Sequence, residues 1–341
     1  MLTRVENPPN PWHSQHQEWV GPPPPARLQV YEERARSIVV ENRSPDVGFG
    51  FSINPYRGCF HGCSYCYARP THQYLDFGAG TDFERKIVVK VNAPELLRER
   101  FLKPSWRGDL IALSGNTDCY QPLEATYGIT RRILEVCAEF RNPVAVITKA
   151  ALIRRDVDVL CELARRAQLS VSFSIPFVDE WMARQIEPYA PSPDMRFGAM
   201  RVLAEAGIPV GVAVAPLIPG LNDSQVTAIL ERARDCGARS AFKILLRLPA
   251  EVKDVFIPRL RRSYPGRSKR VLNALKEMRG GALYTAQFGS RMRGRGHRWK
   301  ALEDLFEVTC RRLGLNARRT EEEPTTFRRP CTQLSLLDPT P

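Results

Sequence analysis

The chain has 341 residues, 43% hydrophobic and 26% charged, the proportions of a globular protein long enough to bury a core without disulfides. Fifty Lys and Arg against 37 Asp and Glu leave a net charge of +13, which favours a polyanionic partner. No apolar run reaches 18 residues, no apolar signal core opens the chain, and nine cysteines are an odd number, so a membrane partner, secretion and a disulfide framework are set aside in favour of a cytoplasmic protein.

Residues 1–44 contain Gly21 followed by four prolines and little apolar periodicity, which predicts an extended or disordered arm. From 45 to 258, short apolar runs alternate with longer amphipathic ones. Strands are expected at 51–54, 110–114, 144–148, 170–175, 210–215 and 241–246. Helices are expected at 94–102, 127–140, 156–167, 194–206 and 223–236, with Gly207 and Gly237 placed to cap the last two. Six strands alternating with helices imply an α/β fold on a parallel sheet with right-handed crossovers, either doubly wound or a whole or partial barrel. No G-x-G-x-x-G follows the first strand, which weakens a dinucleotide-binding reading. In a barrel the chemistry sits at the C-terminal ends of the strands. Residues 259–316 read as a basic C-terminal extension: 259–298 hold twelve Lys or Arg and one acid, Glu277, a local net of +11. Residues 317–341 read as a disordered tail.

The most specific pattern is Cys59-Phe-His-Gly-Cys63-Ser-Tyr-Cys66, directly after the first expected strand. Three thiolates within eight residues can wrap one soft metal centre. A structural zinc site wants four closed ligands, so a zinc knuckle would need His61 or His72 as the fourth. A [4Fe–4S] cluster held by three cysteines keeps one iron open for a substrate or cofactor.

C-x3-C-x2-C with Tyr65 before the third cysteine resembles the radical S-adenosylmethionine superfamily. Within it, Asn54-Pro55-Tyr56-Arg57-Gly58-Cys59 through Cys66-Tyr67-Ala68-Arg69 is similar to the spore photoproduct lyase-related, DNA repair photolyase-like branch, over about residues 45 to 315. The resemblance implies a partial (β/α)6 barrel. It also implies a [4Fe–4S] cluster on Cys59, Cys63 and Cys66 whose open iron chelates S-adenosylmethionine. One-electron reduction, from a donor such as flavodoxin or ferredoxin, would then yield a 5′-deoxyadenosyl radical that abstracts hydrogen from a substrate carbon. By the same resemblance Tyr65 meets the adenine, Thr117 and Asp118 the methionine end, Lys149 the carboxylate and Ser174 the ribose. Taken singly, each would equally suit a strand-end cap or a solvated lysine. Tyr67 corresponds to a tyrosine implicated in hydrogen return. The lyases carry a hydrogen-donating cysteine where this chain has Gly115; Cys119, four residues on, is the nearest substitute, so thymine-dimer reversal as such does not carry over. Cys137, Cys161, Cys236 and Cys310 suit small core positions, and Cys331 lies in the tail.

Arg291, Arg293 and Arg295, with Tyr284, Phe288 and Trp299 nearby, have the composition of a nucleic-acid contact, and equally of a solvated Arg-rich surface. Gln333-Leu334-Ser335-Leu336-Leu337 resembles the short motif with which bacterial proteins bind the replication sliding clamp. The expected function is a radical S-adenosylmethionine enzyme acting on nucleic acid, a repair lyase by analogy. Its alternatives are a peptide, tRNA or small-metabolite substrate, or a non-enzymatic iron–sulfur or zinc module that docks DNA and the clamp.

Overall fold

Strands covered by helices on one face and by a filled interior on the other read as continuous apolar runs. The computed structural model, which describes residues 27–317 and 324–330, places the six expected runs in one sheet, buried on both faces in Ile111–Leu113 and most of Val210–Leu217 and partly exposed in Leu169–Ser174 and Ser240–Leu245. They are β3 (Phe51–Ile53), β6 (Ile111–Leu113), β7 (Val144–Thr148), β8 (Leu169–Ser174), β9 (Val210–Leu217) and β10 (Ser240–Leu245), the other four strands being β1 (Gln29–Glu33), β2 (Val39–Glu41), β4 (Tyr56–Arg57) and β5 (Lys86–Lys90). The six pair in parallel and in chain order, β3-β6-β7-β8-β9-β10, with β2 antiparallel on the outer edge of β3. An order that never reverses is the winding of a barrel; a doubly wound sheet would switch direction partway. The fold is therefore α/β, a partial (β/α)6 barrel.

The intervening helices lie within a residue or two of their expected bounds, except the last, which is α-helical only over Val226–Asp235. Gly207 and Gly237 adopt φ of +81° and +90°, the left-handed cap that only glycine takes without strain. No helix among the described residues is long and apolar enough to cross a membrane.

Three boundaries differ from the sequence reading. The expected arm 1–44 is strand over much of its described part: β1 pairs in parallel with β5, which pairs antiparallel with β4, making a second sheet beside the barrel. Beyond the last strand the basic extension is helical, over Val252–Ser263, Pro265–Glu277 and Gly296–Arg312. The final helix seats Trp299, Phe306 and Cys310 in the core, and Asn316 then pairs with the edge of β10 through both Ala241 N (2.9 Å) and Ala241 O (2.8 Å). Part of the expected disordered tail is also docked. Phe327 packs on Phe101 and Phe140, and Arg329 donates to the carbonyls of Phe101, Lys103 and Trp106. Those loops lead into β6 and β7, so this strap lies at the end of the barrel opposite the strand termini that carry the chemistry.

Candidate active site

The cysteine loop leaves β4 through Gly58, whose φ is +75° and whose missing Cβ would lie 2.9 Å from the Phe83 carbonyl. Cys59 N donates to that same carbonyl at 2.9 Å, so any larger residue at 58 would prise the loop from its support. Gln121 grips the turn from the other side: its Nε2 donates to Gly58 O (3.1 Å) and its Oε1 accepts from Phe60 N (3.0 Å). Arg69 gathers the rest. Fully buried, it donates to the carbonyls of Gly62, Cys63, Ala79 and Gly80 and forms an ion pair with Glu84 at 2.6 Å. The loop's backbone groups are thus satisfied by protein.

Cys59 and Cys63 are buried and Cys66 is half-buried. Burial pushes all three thiols up, reinforced by Asp118 and the other two cysteines at Cys59 and by Glu187 at Cys63, which rises to about 12, and opposed by Arg69 at Cys66. Such thiols ionise when a cation takes their protons' place. Among the described residues no three His, Cys, Asp or Glu close on a point one ion would fill. A zinc knuckle needs that closure. A [4Fe–4S] cluster takes one thiolate per iron, so the chemistry of three cysteines fits it with one iron open. Neither histidine completes the set: His61 Nδ1 lies 3.5 Å from Asp118 Oδ2, and His72 packs against Phe77 and Phe83.

The ends of β6, β7 and β8 converge beside this loop. Lys149, just past β7, donates through Nζ to Ser174 Oγ at 2.9 Å, and its ammonium lies 5.7 Å from the centre of the Tyr65 ring. Ser174 in turn donates to Ala215 O at 2.9 Å. Tyr65, Lys149 and Ser174 are thus brought together. Thr117 and Asp118 sit next to them but are largely committed to the scaffold. Thr117 is buried and donates to Tyr56 O (2.7 Å). Asp118 accepts from Thr148 Oγ1 (2.7 Å), Lys149 N (2.7 Å) and Tyr120 N (2.9 Å), fixing the lysine's backbone rather than facing outward alone.

Two site residues escaped the sequence reading. Glu187 and Arg196 form a fully buried ion pair at 2.5 Å; Glu187 accepts the Tyr65 phenol and Arg196 donates to Ser174 O at 2.9 Å. Burial alone would raise the Glu187 carboxyl, but Arg196 and Lys149 outweigh it and hold it below the usual range. Asn54, at the end of β3, was quoted only as part of the motif; its Oδ1 accepts from Asn116 N (2.7 Å) and Thr117 N (3.3 Å) and so joins two strand ends.

Tyr67 remains 44% exposed, donates its phenol proton to Gly115 O, and lies under the Arg247 guanidinium at 5.2 Å. It therefore spans the mouth from the cysteine loop to β6. Cys119 does not share that position: it has no exposed surface and lies in the core cluster, its backbone N bonded to Ser114 Oγ.

The basic segment is corrected in part. Arg291 is paired with Asp46 and donates to Ser44, and Trp299 is buried, so neither offers a free contact. Arg293 and Arg295 are exposed, as is Phe288. Met292 O accepts from Leu245 N at 3.0 Å, so this segment runs along the end of β10 while Asp46 and Ser44 hold it to the connection between β2 and β3. It links the two edges of the open sheet. The clamp-type motif Gln333–Leu337 lies outside the described residues.

A parallel partial barrel with a three-cysteine loop after its first strand and a lysine and serine closing its third and fourth gathers soft thiol ligands and a cation at one end of the sheet. The radical SAM superfamily model matches residues 53–233, and the chain belongs to that family. An uncharacterized protein of Mycobacterium bovis is 37% identical over 219 residues, 64% of each chain, so the match spans just under two thirds of that relative. One of Methanocaldococcus jannaschii is 29% identical over 198 residues, 58% of this chain and 71% of that one. Among solved structures, a spore photoproduct lyase variant with bound AdoMet and dinucleoside spore photoproduct superposes with a TM-score of 0.62 at 17% identity, over 84% of this chain and 80% of that one. Another variant of that lyase gives 0.62 at 17% identity over 89% and 88%. The likeness establishes a shared fold.

Proposed function

We propose that the protein is a radical S-adenosylmethionine enzyme, with a [4Fe–4S] cluster on Cys59, Cys63 and Cys66, that abstracts hydrogen from a nucleic-acid substrate in a repair-type reaction. The observation that carries the reading is the meeting of the three-cysteine loop with Tyr65, Lys149 and Ser174 at one end of the barrel. When bound, the cluster and S-adenosylmethionine supply a carbon-centred radical by one-electron reduction, from a donor such as flavodoxin or ferredoxin. The chain's own residues do the rest. Lys149, oriented by Ser174, is the cation for the cofactor's carboxylate. The Glu187–Arg196 pair fixes Tyr65 and the β8 terminus beneath it. Burial of the loop keeps water from the reacting centre. Tyr67, exposed beside Cys66, is the phenol placed to return hydrogen, a role for which buried Cys119 is unsuited.

The nucleic-acid substrate is supported by the net +11 over 259–298 and by exposed Arg293 and Arg295 at the β10 edge of the mouth. Free thiols at every described cysteine and the need for a cellular reductant favour the cytoplasm. Docking to a sliding clamp through Gln333–Leu337 rests on the sequence alone. The test is anaerobic reconstitution followed by measurement of 5′-deoxyadenosine with and without DNA. Cleavage stimulated by DNA is expected; cleavage indifferent to DNA but stimulated by a peptide, tRNA or metabolite extract would move the substrate to another class.

A further inference from the structure

Two arginines at the mouth have no acid partner among the described residues. The chain leaves β10 at Leu245 and turns through Arg247, at the same end of the sheet as Lys149 and Ser174. Arg279, just beyond the helix 265–277, is only 6% exposed. Its Nη2 donates to Leu246 O at 2.8 Å and Arg291 O at 3.2 Å, while its Nε and Nη1 are buried without a partner. Arg247 Nε is likewise buried and unpartnered; its guanidinium lies over the Tyr67 ring, with Nη1 3.6 Å from the Met292 sulfur. Among the described residues neither forms an ion pair, whereas adjacent Arg291 has Asp46. Burial and then the charge of Arg247 pull the Arg279 guanidinium down to about 10, far below its ordinary 12.5.

Burying a charged donor without a partner is costly, and placing a second cation beside it adds repulsion. Both costs fall away when an oxyanion lies between the two, because each planar fork can offer parallel N–H donors to phosphate oxygens. A carboxylate of the protein would serve stability equally well, yet among the described residues none forms an ion pair with either arginine. We propose that Arg247 and Arg279 form a subsite for a phosphate oxyanion of the substrate, beside Tyr67 at the β10 edge of the mouth. This rests on the reading of the mouth as the active site and deepens it. The subsite lies next to the residue that follows Cys66, so a phosphate held there anchors the substrate within reach of the cysteine loop. Arg293 and Arg295 continue the positive track outward, which suits the next phosphates of a single strand.

The phosphate could be the diester of a strand or the monoester of a nucleotide, and the probes separate these. Full-length reconstituted protein, wild type, Arg247→Met and Arg279→Met, is titrated with a single-stranded oligodeoxynucleotide and with thymidine 5′-monophosphate over a series of salt concentrations, alongside melting curves. Each variant should bind the effective probe roughly tenfold more weakly, with the salt slope reduced by about 0.7 per lost contact for a single strand. Arg247→Met should melt no lower than wild type, since it removes an unpaired cation. Arg279→Met also loses two carbonyl contacts, so if it folds poorly Arg247→Met decides. Binding of the oligonucleotide alone assigns a diester. Binding of the monophosphate alone leaves the subsite standing while the nucleic-acid reading fails. Wild-type affinity in both variants, no binding of either probe by wild type, or a lowered melting point with unchanged binding in Arg247→Met overturns the subsite.

Discussion

Arg69→Met is the substitution that most directly tests how the cysteine loop is held. It removes donors to the carbonyls of Gly62, Cys63, Ala79 and Gly80 and strands Glu84, which is 3% exposed, without its cation. Removing one partner of a buried pair costs about 3–5 kcal/mol, chiefly because the remaining charge is left desolvated. At about 2 °C per kcal/mol for a large domain, the melting point should fall by roughly 6–10 °C. Glu84→Gln in the Arg69→Met background should recover part of that loss by removing the stranded charge. Because the same guanidinium fixes Cys63 and its preceding residue, iron retained after desalting should fall as well. The assay is thermal unfolding followed by circular dichroism, with iron and sulfide measured on the same samples. A shift under 2 °C with full iron content would show that the loop does not depend on this buried arginine.

Lys149→Ala should weaken S-adenosylmethionine binding roughly tenfold to a hundredfold, as expected for about 1.5–3 kcal/mol from a hydrogen bond to a charged group, with cluster content unchanged; equal affinity in equilibrium dialysis would remove Lys149 from the cofactor site. Arg293→Ala with Arg295→Ala should flatten the salt dependence of DNA binding by about 1.4 in log–log slope for a single strand, and an unaltered slope would return both to solvated surface. Burial holds His72 neutral, its pKa lowered to about 4 against an ordinary 6.5, so the unfolded chain binds the extra proton first and stability drains away as pH falls from about 6.5 towards 4. His72→Phe should therefore lose less stability than wild type between those pH values, and parallel urea-unfolding profiles would contradict this. A peptide spanning 329–341 should bind a bacterial sliding clamp at about −8 kcal/mol, a micromolar affinity, and lose that binding with Gln333→Ala and Leu336→Ala; equal binding by both peptides, or none, would sever the link.

The barrel was legible because its strands are short, largely apolar runs, nearly all buried in Ile111 to Leu113 and Val210 to Leu217 and partly exposed in β8 and β10, and because the cysteine loop follows the first of them. The second sheet was not. Its outer strand, Gln29-Val-Tyr-Glu-Glu33, is exposed along most of its length and has no apolar face, so only its backbone pairing with β5 identifies it. Tyr65, Lys149 and Ser174 could be placed because each occupies a loop or strand end with a counterpart in the family resemblance. Glu187 and Arg196 carry no such local signature: their role arises from a pairing across nine residues and from contacts to Tyr65 and β8 made only in the fold. Composition misjudged Arg291 for a similar reason, since its partner Asp46 is distant in sequence. Phe327 and Arg329 stand in a polar, Pro-flanked stretch, and their seat on the barrel is set by carbonyls of two loops that no local pattern reveals.

The central claim is that Cys59, Cys63 and Cys66 hold one cluster with an iron open to S-adenosylmethionine. Electron paramagnetic resonance of the dithionite-reduced, anaerobically reconstituted protein, before and after adding S-adenosylmethionine, tests it most directly. A [4Fe–4S]+ signal whose g-values shift with the cofactor, and which disappears in Cys59→Ala, Cys63→Ala and Cys66→Ala but persists in Cys119→Ala, is the predicted result. Stoichiometric zinc with no iron, or a cluster signal indifferent to S-adenosylmethionine, would contradict it.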